Sequence, residues 1–112
     1  LSEASKTARV LITGDFNAGE GTGPYNALFS ADAGAASPVV DTYRKIHPAK
    51  AANEGTFSSF KAATTNGPRI DWIGAGAAWQ VFEAGIDRTE REGRTPSDHF
   101  AVFAVLRPQT RK

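Results

Sequence analysis

Three short stretches of this sequence place carboxylate, amide and imidazole side chains at the ends of predicted strands. They read GDFN, RID and SDH, and they supply Asp15, Asn17, Asp71, Asp98 and His99. In layered α/β proteins, functional residues gather in the loops at strand ends. These stretches are therefore the places where the chain could carry out chemistry.

The GDFN stretch combines a carboxylate with an amide. Asp15 and Asn17 are two residues apart, so in an extended segment their side chains point to the same side while Phe16 points to the core. An aspartate can orient or deprotonate a water, and an asparagine can hold a phosphoryl oxygen. The alternative is an Asx-turn that ends the strand, and the sequence alone leaves both open.

The RID stretch puts an aspartate inside one of the best strand signals of the chain. Asp71 is a candidate partner for His99 if their strands are neighbours, because a carboxylate fixes a histidine tautomer and stabilises the imidazolium. One alternative is a surface ion pair between Arg69 and Asp71. The other is an SDH loop end in which Ser97 or Asp98 bonds backbone groups and His99 is a satisfied polar residue. The other histidine, His47, is assigned no role.

The elements that must position these residues alternate between strands and short helices, and then become successive strands. This pattern favours an α/β layer on a mixed sheet, and the five polar residues must meet at one edge of a single sheet. The predicted strands are 8–13, 56–60 (short and bulged), 69–73, 79–86 and 99–107, the predicted helices are 24–34 and 38–48, and a flexible break is predicted at 74–78.

Length and composition exclude several classes of protein. The chain has 112 residues, which is one domain at most, and it has no cysteine, so disulfides, thiolate metal sites and cysteine nucleophiles are excluded. The formal net charge of +1 indicates no global field for nucleic acid, and no apolar run predicts a membrane span. The chain begins without Met, and we expect it to be a piece of a longer protein, which leaves secreted and cytoplasmic locations both open.

The order GDFN, RID, SDH, with GTFSSF ahead of RID, resembles the endonuclease/exonuclease/phosphatase superfamily of magnesium-dependent phosphoesterases. The resemblance runs from about residue 9 to residue 106. It implies an α/β fold that is one half of a four-layer α/β sandwich, with a mixed, largely antiparallel sheet and short helices on one face. Residues 1–112 would then be the C-terminal half of the domain, without its N-terminal half.

The resemblance also implies a role for each polar residue. Asp15 would position or deprotonate the attacking water, and Asn17 would bind a phosphate oxygen. Asp71 would pair with His99, which would contact the scissile phosphate. Asp98 would lie in a Mg²⁺ or Mn²⁺ site whose remaining ligands come from the missing half.

A metal-dependent phosphoesterase, acting on a phosphodiester or a phosphomonoester in the intact parent protein, is therefore the expected function. The fragment alone is expected to be inactive, and a catalytically silent binding or assembly module is the alternative. The substrate stays open among nucleic acid, nucleotide, lipid and sugar phosphate, and so does the choice between nuclease and phosphatase. Phe57 is a weak candidate for substrate contact, although it and Trp79 are expected in the core.

An isolated half would lack the sheet that covers its apolar face, so dimerisation through that face is a further expectation. The glutamates are assigned to loop or surface positions, and the residues predicted for the open face or the helix-covered face are Ile12, Phe16, Ile73, Phe100, Val102 and Ala104.

Overall fold

A computed structural model describes residues 9–29 and 39–109, and within them the chain alternates short helices with antiparallel strands. The predicted α/β class, with largely antiparallel sheets and few short helices, is confirmed. The elements in chain order are β1 (Leu11–Asp15), α1 (Gly23–Phe29), β2 (Val39–Asp41), α2 (Thr42–Ile46), β3 (Asp71–Gly76), β4 (Trp79–Asp87) and β5 (Ala101–Pro108).

The strands of the described residues form two hydrogen-bonded sheets, where the sequence predicted one. The first sheet has the order β1–β3–β2, so β3 is central and pairs antiparallel on both edges. The second is the β4–β5 hairpin, with a bulge between Val81 and Glu83. Residues that belong to one site must therefore be brought together across two sheets.

Trp72 of β3 is the centre of the core, with 1% of its surface exposed. The ring of Phe16 stacks on it at 4.4 Å, and Tyr25 and Phe29 of α1 meet it edge-on at 5.1 and 5.8 Å. A Cβ at Gly74 would lie 2.8 Å from Ile12 and 3.0 Å from Phe29, so glycine there lets both side chains pack close to the backbone of β3. This packing holds the strand that begins at Asp71.

The predicted helix at 38–48 is partly wrong, because Val39–Asp41 is the edge strand β2. Val39 and Val40 pair with small residues of β3, and β-branched side chains suit that pleated surface. Asp41 then caps α2, since its carboxylate accepts the N–H groups of Tyr43 and Arg44 at 3.2 and 3.4 Å. The prediction for 24–34 is met by Gly23–Phe29, and its remainder lies outside the described residues.

Two further predictions about the strands need correction. The predicted break at 74–78 is wrong in its first half, because β3 continues to Gly76 between two partner strands. The predicted strand at 56–60 is reduced to a single bridge between Phe57 and His99. Ser59 and Phe60 have φ values of 53° and 65°, which no extended strand can accommodate.

Two of the glutamates predicted in loop or surface positions, Glu20 and Glu54, lie in loops, but their side chains are largely buried in a cluster of charges. Arg44 binds Glu20 and Glu54, each at 2.6 Å, and all three side chains are largely buried. The hydrogen bond from Arg44 lowers the pKa of Glu20 to about 2. Because a buried cation needs carboxylate partners, Glu20 and Glu54 connect α2 to two loops.

Within the described residues, no helix combines the length and the apolar character needed to cross a membrane.

Candidate active site

Two of the predicted site residues lie side by side at one end of the first sheet. Strand β1 ends at Asp15, β3 begins at Asp71, and the antiparallel register pairs these two residues directly. Directly opposed residues place their side chains on the same face of a sheet. The register of β1 against β3 thus puts two carboxylates on one edge.

His99, just before β5, lies between these carboxylates. Its Nδ1 is 2.8 Å from Oδ2 of Asp71, and its Nε2 is 3.6 Å from Oδ2 of Asp15. An ionised carboxylate can only accept a hydrogen bond, so the Nδ1–H donates to Asp71 and Nε2 faces Asp15. The structure thus brings together three residues that are distant in the sequence.

The carboxylates also determine the protonation of the ring. The hydrogen bond to Asp71 raises the pKa of His99, and the charges of Asp71, Asp15 and Asp98 act in the same direction. Partial burial of the ring opposes this rise but does not cancel it. The imidazolium form is therefore held at higher pH than in a free histidine.

The Asx-turn that the sequence left open at GDFN is present in the structure. The backbone N–H of Asn17 donates to Oδ1 of Asp15 at 2.9 Å, which is an Asx-turn, and Asn17 has a φ of 49°. The other oxygen of the carboxylate, Oδ2, is the one that faces His99. The turn therefore orients Asp15, and Asn17 is exposed beside it.

Asp98 is held through its backbone. Its carbonyl accepts the N–H groups of Ser58 and Ser59 at 2.7 and 3.0 Å, and its half-buried carboxylate lies next to Ser97. Among the described residues, the donor atoms that cluster within 4.8 Å belong to Asp15, Asp71 and His99, a group that Asp98 does not join. The sequence predicted that Asp15, Asp71 and His99 meet, but it assigned the metal to Asp98 and not to this group.

The donor atoms around the site suit a divalent cation. Carboxylate oxygens are the ligands that Mg²⁺ and Mn²⁺ prefer. Asp15 is exposed and Asp98 is half-buried, so both carboxylates can be reached from solvent. The residues present fit part of a magnesium or manganese site.

The segment GTFSSF places the hydroxyl groups of Thr56 and Ser58 inside and both phenyl rings outside. Thr56 and Ser58 are fully buried, and the Ser58 hydroxyl bonds that of Thr95 at 2.8 Å. Phe57 is 44% exposed, and its ring meets His99 edge-on at 5.2 Å. The expectation that Phe57 belongs to the core is wrong, because buried hydroxyl groups occupy the inner positions of this segment.

The predicted alternative for Asp71, an ion pair with Arg69, is also wrong. Arg69 is buried, and its guanidinium pairs with Asp41 and lies 3.3 Å from Glu20. Its backbone carbonyl accepts the indole N–H of Trp72 at 2.7 Å. Arg69 thus faces the interior while Asp71 faces His99.

Two other predicted residues lie away from the site. The Nε2–H of His47 donates to the carbonyl of Ala84 at 2.7 Å, and this bond joins the end of α2 to β4. Trp79 pairs with Pro108 at the opposite end of the hairpin from His99. His47 therefore has a structural contact, and Trp79 is too far along β4 to reach the three-residue group.

No protein-family model matches the sequence, and no curated protein matches it. Solved structures do match, over 90% of this chain but only 37–38% of their own length. The chain therefore spans less than half of the proteins that it resembles.

Three of these structures illustrate the likeness. A mannosyl-6-phosphatase of Bacteroides thetaiotaomicron is 30% identical with a TM-score of 0.66, and an endonuclease/exonuclease/phosphatase family protein of the same organism is 29% identical with a TM-score of 0.67. A conserved protein of unknown function from Enterococcus faecalis, 24% identical with a TM-score of 0.69, shares the fold. The resemblance to the endonuclease/exonuclease/phosphatase family, predicted from the sequence, is confirmed by the two Bacteroides structures.

Proposed function

We propose that this chain carries the C-terminal catalytic residues of a metal-dependent phosphoesterase, which hydrolyses phosphate esters with an activated water. The observation that carries the proposal is the position of His99 between Asp71 and Asp15. The fold is shared with a phosphatase and with a member of the endonuclease/exonuclease/phosphatase family, which supports a phosphoester hydrolase.

The three residues match the needs of phosphoester hydrolysis. Negative charge on the phosphoryl oxygens must be stabilised in the transition state. In this proposal, protonated His99 donates from Nε2 to a phosphoryl oxygen, and Asp71 holds the ring in that orientation. Asp15, whose Oδ2 lies 3.6 Å from Nε2, orients the attacking water and accepts its proton, and Asn17 binds a second phosphoryl oxygen.

Mg²⁺ or Mn²⁺, when bound, would supply a Lewis acid for the phosphoryl and leaving oxygens. Asp98 is the residue of this chain proposed to hold it. Because Mg²⁺ takes six oxygen ligands, the remaining ligands would come from water, from the substrate and from residues outside this chain.

The rest of the parent domain would cover an apolar surface that is open here. Phe82, Phe103 and Val105 of the β4–β5 hairpin are 42–46% exposed, as are Leu11 and Val40 on the first sheet. The matched structures are more than twice as long as this chain, so we infer that residues outside it pack on this face. Without them, two copies of the chain should associate through the same surface.

Sedimentation of the isolated chain tests this inference. The chain should sediment as a dimer, and Phe103→Asp should sediment as a monomer, because a charge cannot be buried there without a partner. If the isolated, unmutated chain stays monomeric at high concentration, the proposed dimer is wrong.

The substrate is proposed to be a phosphate ester with a ring close to the phosphate. Phe57 is exposed and its ring contacts His99, so a base or a sugar bound at the phosphate could pack on it. Phe57→Ala in the intact parent protein should then raise KM for nucleotides or sugar phosphates, and leave KM for a small ring-free phosphate ester unchanged. Equal changes for both kinds of substrate would argue against this contact.

Hydrolysis by the intact parent protein tests the main proposal. It should cleave a generic phosphomonoester or phosphodiester, lose this activity with EDTA and regain it with Mg²⁺. His99→Ala should lower kcat at least about 100-fold, as expected for loss of a proton donor, and the matched control His47→Ala should keep it. Activity that survives both EDTA and His99→Ala would exclude this mechanism, and the absence of any hydrolysis would favour a binding or assembly module.

A further inference from the structure

Asp71 and His99 belong to different sheets, so their hydrogen bond needs a connection between those sheets. Asp71 begins β3 of the three-stranded sheet, and His99 precedes β5 of the separate hairpin. The segment between the two motifs supplies that connection at Thr56 and Phe57. Phe57 forms a bridge with His99, and the N–H of Phe100 donates to the carbonyl of Thr56 at 2.7 Å.

The side chain of Thr56 reaches the other sheet. Its hydroxyl oxygen accepts the backbone N–H groups of Ile70 and Asp71, at 2.9 and 3.2 Å. Thr56 has no exposed surface, so water cannot take over these bonds. Because buried N–H groups require an acceptor, this hydroxyl determines where the backbone of Asp71 lies.

Glycine before Thr56 makes this position possible. The N–H of Gly55 donates to the carbonyl of Thr65 at 2.8 Å, and a Cβ on Gly55 would lie 2.8 Å from the backbone nitrogen of Gly67. Backbone atoms at that distance cannot move aside as a flexible side chain would. The backbone at Gly55 therefore packs directly on the 65–67 loop, which leads to the RID stretch.

We propose that Thr56 is a positioning residue for the Asp71–His99 pair. Its hydroxyl holds the backbone of Asp71 and its carbonyl holds the backbone that follows His99, so one residue sets the distance between the two side chains. The inference rests on the proposed phosphoesterase function only where it says what the Asp71–His99 pair is for. The test of Thr56 measures no turnover, so a failure of the positioning role can be distinguished from a failure of the phosphoesterase proposal.

The chain contains a matched control in Thr42. This residue is also buried, and its hydroxyl donates at 2.9 Å to the carbonyl of Ile73, on the same strand as Asp71. Thr42→Val removes a buried hydroxyl contact to β3 in the same way as Thr56→Val. It leaves the backbone of Asp71 and the segment beside His99 untouched.

The experiment is solution NMR on the isotope-labelled chain with Thr56→Val, Thr56→Ser and Thr42→Val. The Nδ1–H resonance and the imidazole nitrogen shifts of His99 report its hydrogen bond to Asp71. Thr56→Val should lose the Nδ1–H resonance, whereas Thr56→Ser, which keeps the hydroxyl, and Thr42→Val should retain it. A folded Thr56→Val chain with an unchanged Nδ1–H resonance would overturn the proposal.

Hydrogen exchange of the backbone provides a second measurement, and its part on the unmutated chain and on Thr56→Ser does not depend on Thr56→Val folding. In the unmutated chain and in Thr56→Ser, the amide of Asp71 should be protected from exchange with solvent. In Thr56→Val it should exchange about tenfold faster than in Thr42→Val, as the loss of one buried hydrogen bond implies. An unprotected Asp71 amide in the folded parent chain would also overturn the proposal.

Discussion

Replacing Asp71 by asparagine removes a charge and keeps the size of the side chain. In the parent, the Nδ1–H of His99 donates to Asp71 over 2.8 Å, with 26% of the histidine and 15% of the aspartate side chain exposed. Hydrogen bonds to charged groups contribute about 1.5–3 kcal/mol when well buried, and about half when both groups are neutral. With this exposure, Asp71→Asn should lower the unfolding free energy by about 1 kcal/mol while His99 is charged.

The unfolding free energy lost in Asp71→Asn should become smaller as the pH rises. The hydrogen bond to Asp71 raises the pKa of His99 in the folded chain above its ordinary value of 6.5. The stabilisation is therefore complete below pH 6.5, and it is lost as the pH rises through the raised pKa of His99. Asp71→Asn should accordingly cost most near the acidic end of this window and least well above it.

Urea unfolding across this pH range measures the effect, with Asp98→Asn as the control. Asp98 is a neighbouring carboxylate whose charge contributes least to the raised pKa of His99, and it has no hydrogen bond to the ring. Asp98→Asn should therefore retain most of the pH dependence, and Asp71→Asn should lose most of it. If the unfolding free energies of the unmutated chain and of Asp71→Asn vary with pH in parallel, the reasoning is refuted.

Other substitutions test the scaffold behind the site. Gly55→Ala should lose about 2 kcal/mol in urea unfolding, because its methyl group would meet backbone atoms. In the control Gly67→Ala, the methyl group meets nothing within 4 Å, and the change should stay under about 0.5 kcal/mol. Arg69→Met should lose about 3 kcal/mol in thermal unfolding, because it leaves Asp41 as a buried carboxylate without its cation; a neutral result would contradict that. Glu20 has a pKa lowered to about 2, so its stabilisation is present above pH 4.5 and lost as the pH falls through about 2. Glu20→Gln should flatten acid unfolding between these values, as followed by circular dichroism, and an unchanged acid transition would disprove the assignment.

Local patterns were sufficient for the elements whose signals are short-range. The β-branched and aromatic runs predicted β1, β3, β4 and β5 to within a few residues, because an apolar run bounded by glycine or proline indicates a strand without reference to its neighbours. The valine pair at Val39 and Val40 was misread, since its spacing fits a helical face as well as an edge strand. Pairing with β3 decided that choice.

The sequence by itself determined which residues could do chemistry: it placed Asp15, Asp71 and His99 at strand ends and left their partners open. The tertiary structure decided the partners, because the same Asp71 could face Arg69 along its strand or His99 across a gap between sheets. The pairing of β1 with β3 and the hydrogen bond from the Asp71 N–H to the buried Thr56 hydroxyl direct Asp71 towards His99. Such contacts depend on register and on which polar atoms must be satisfied inside, and neither quantity is readable from residue spacing.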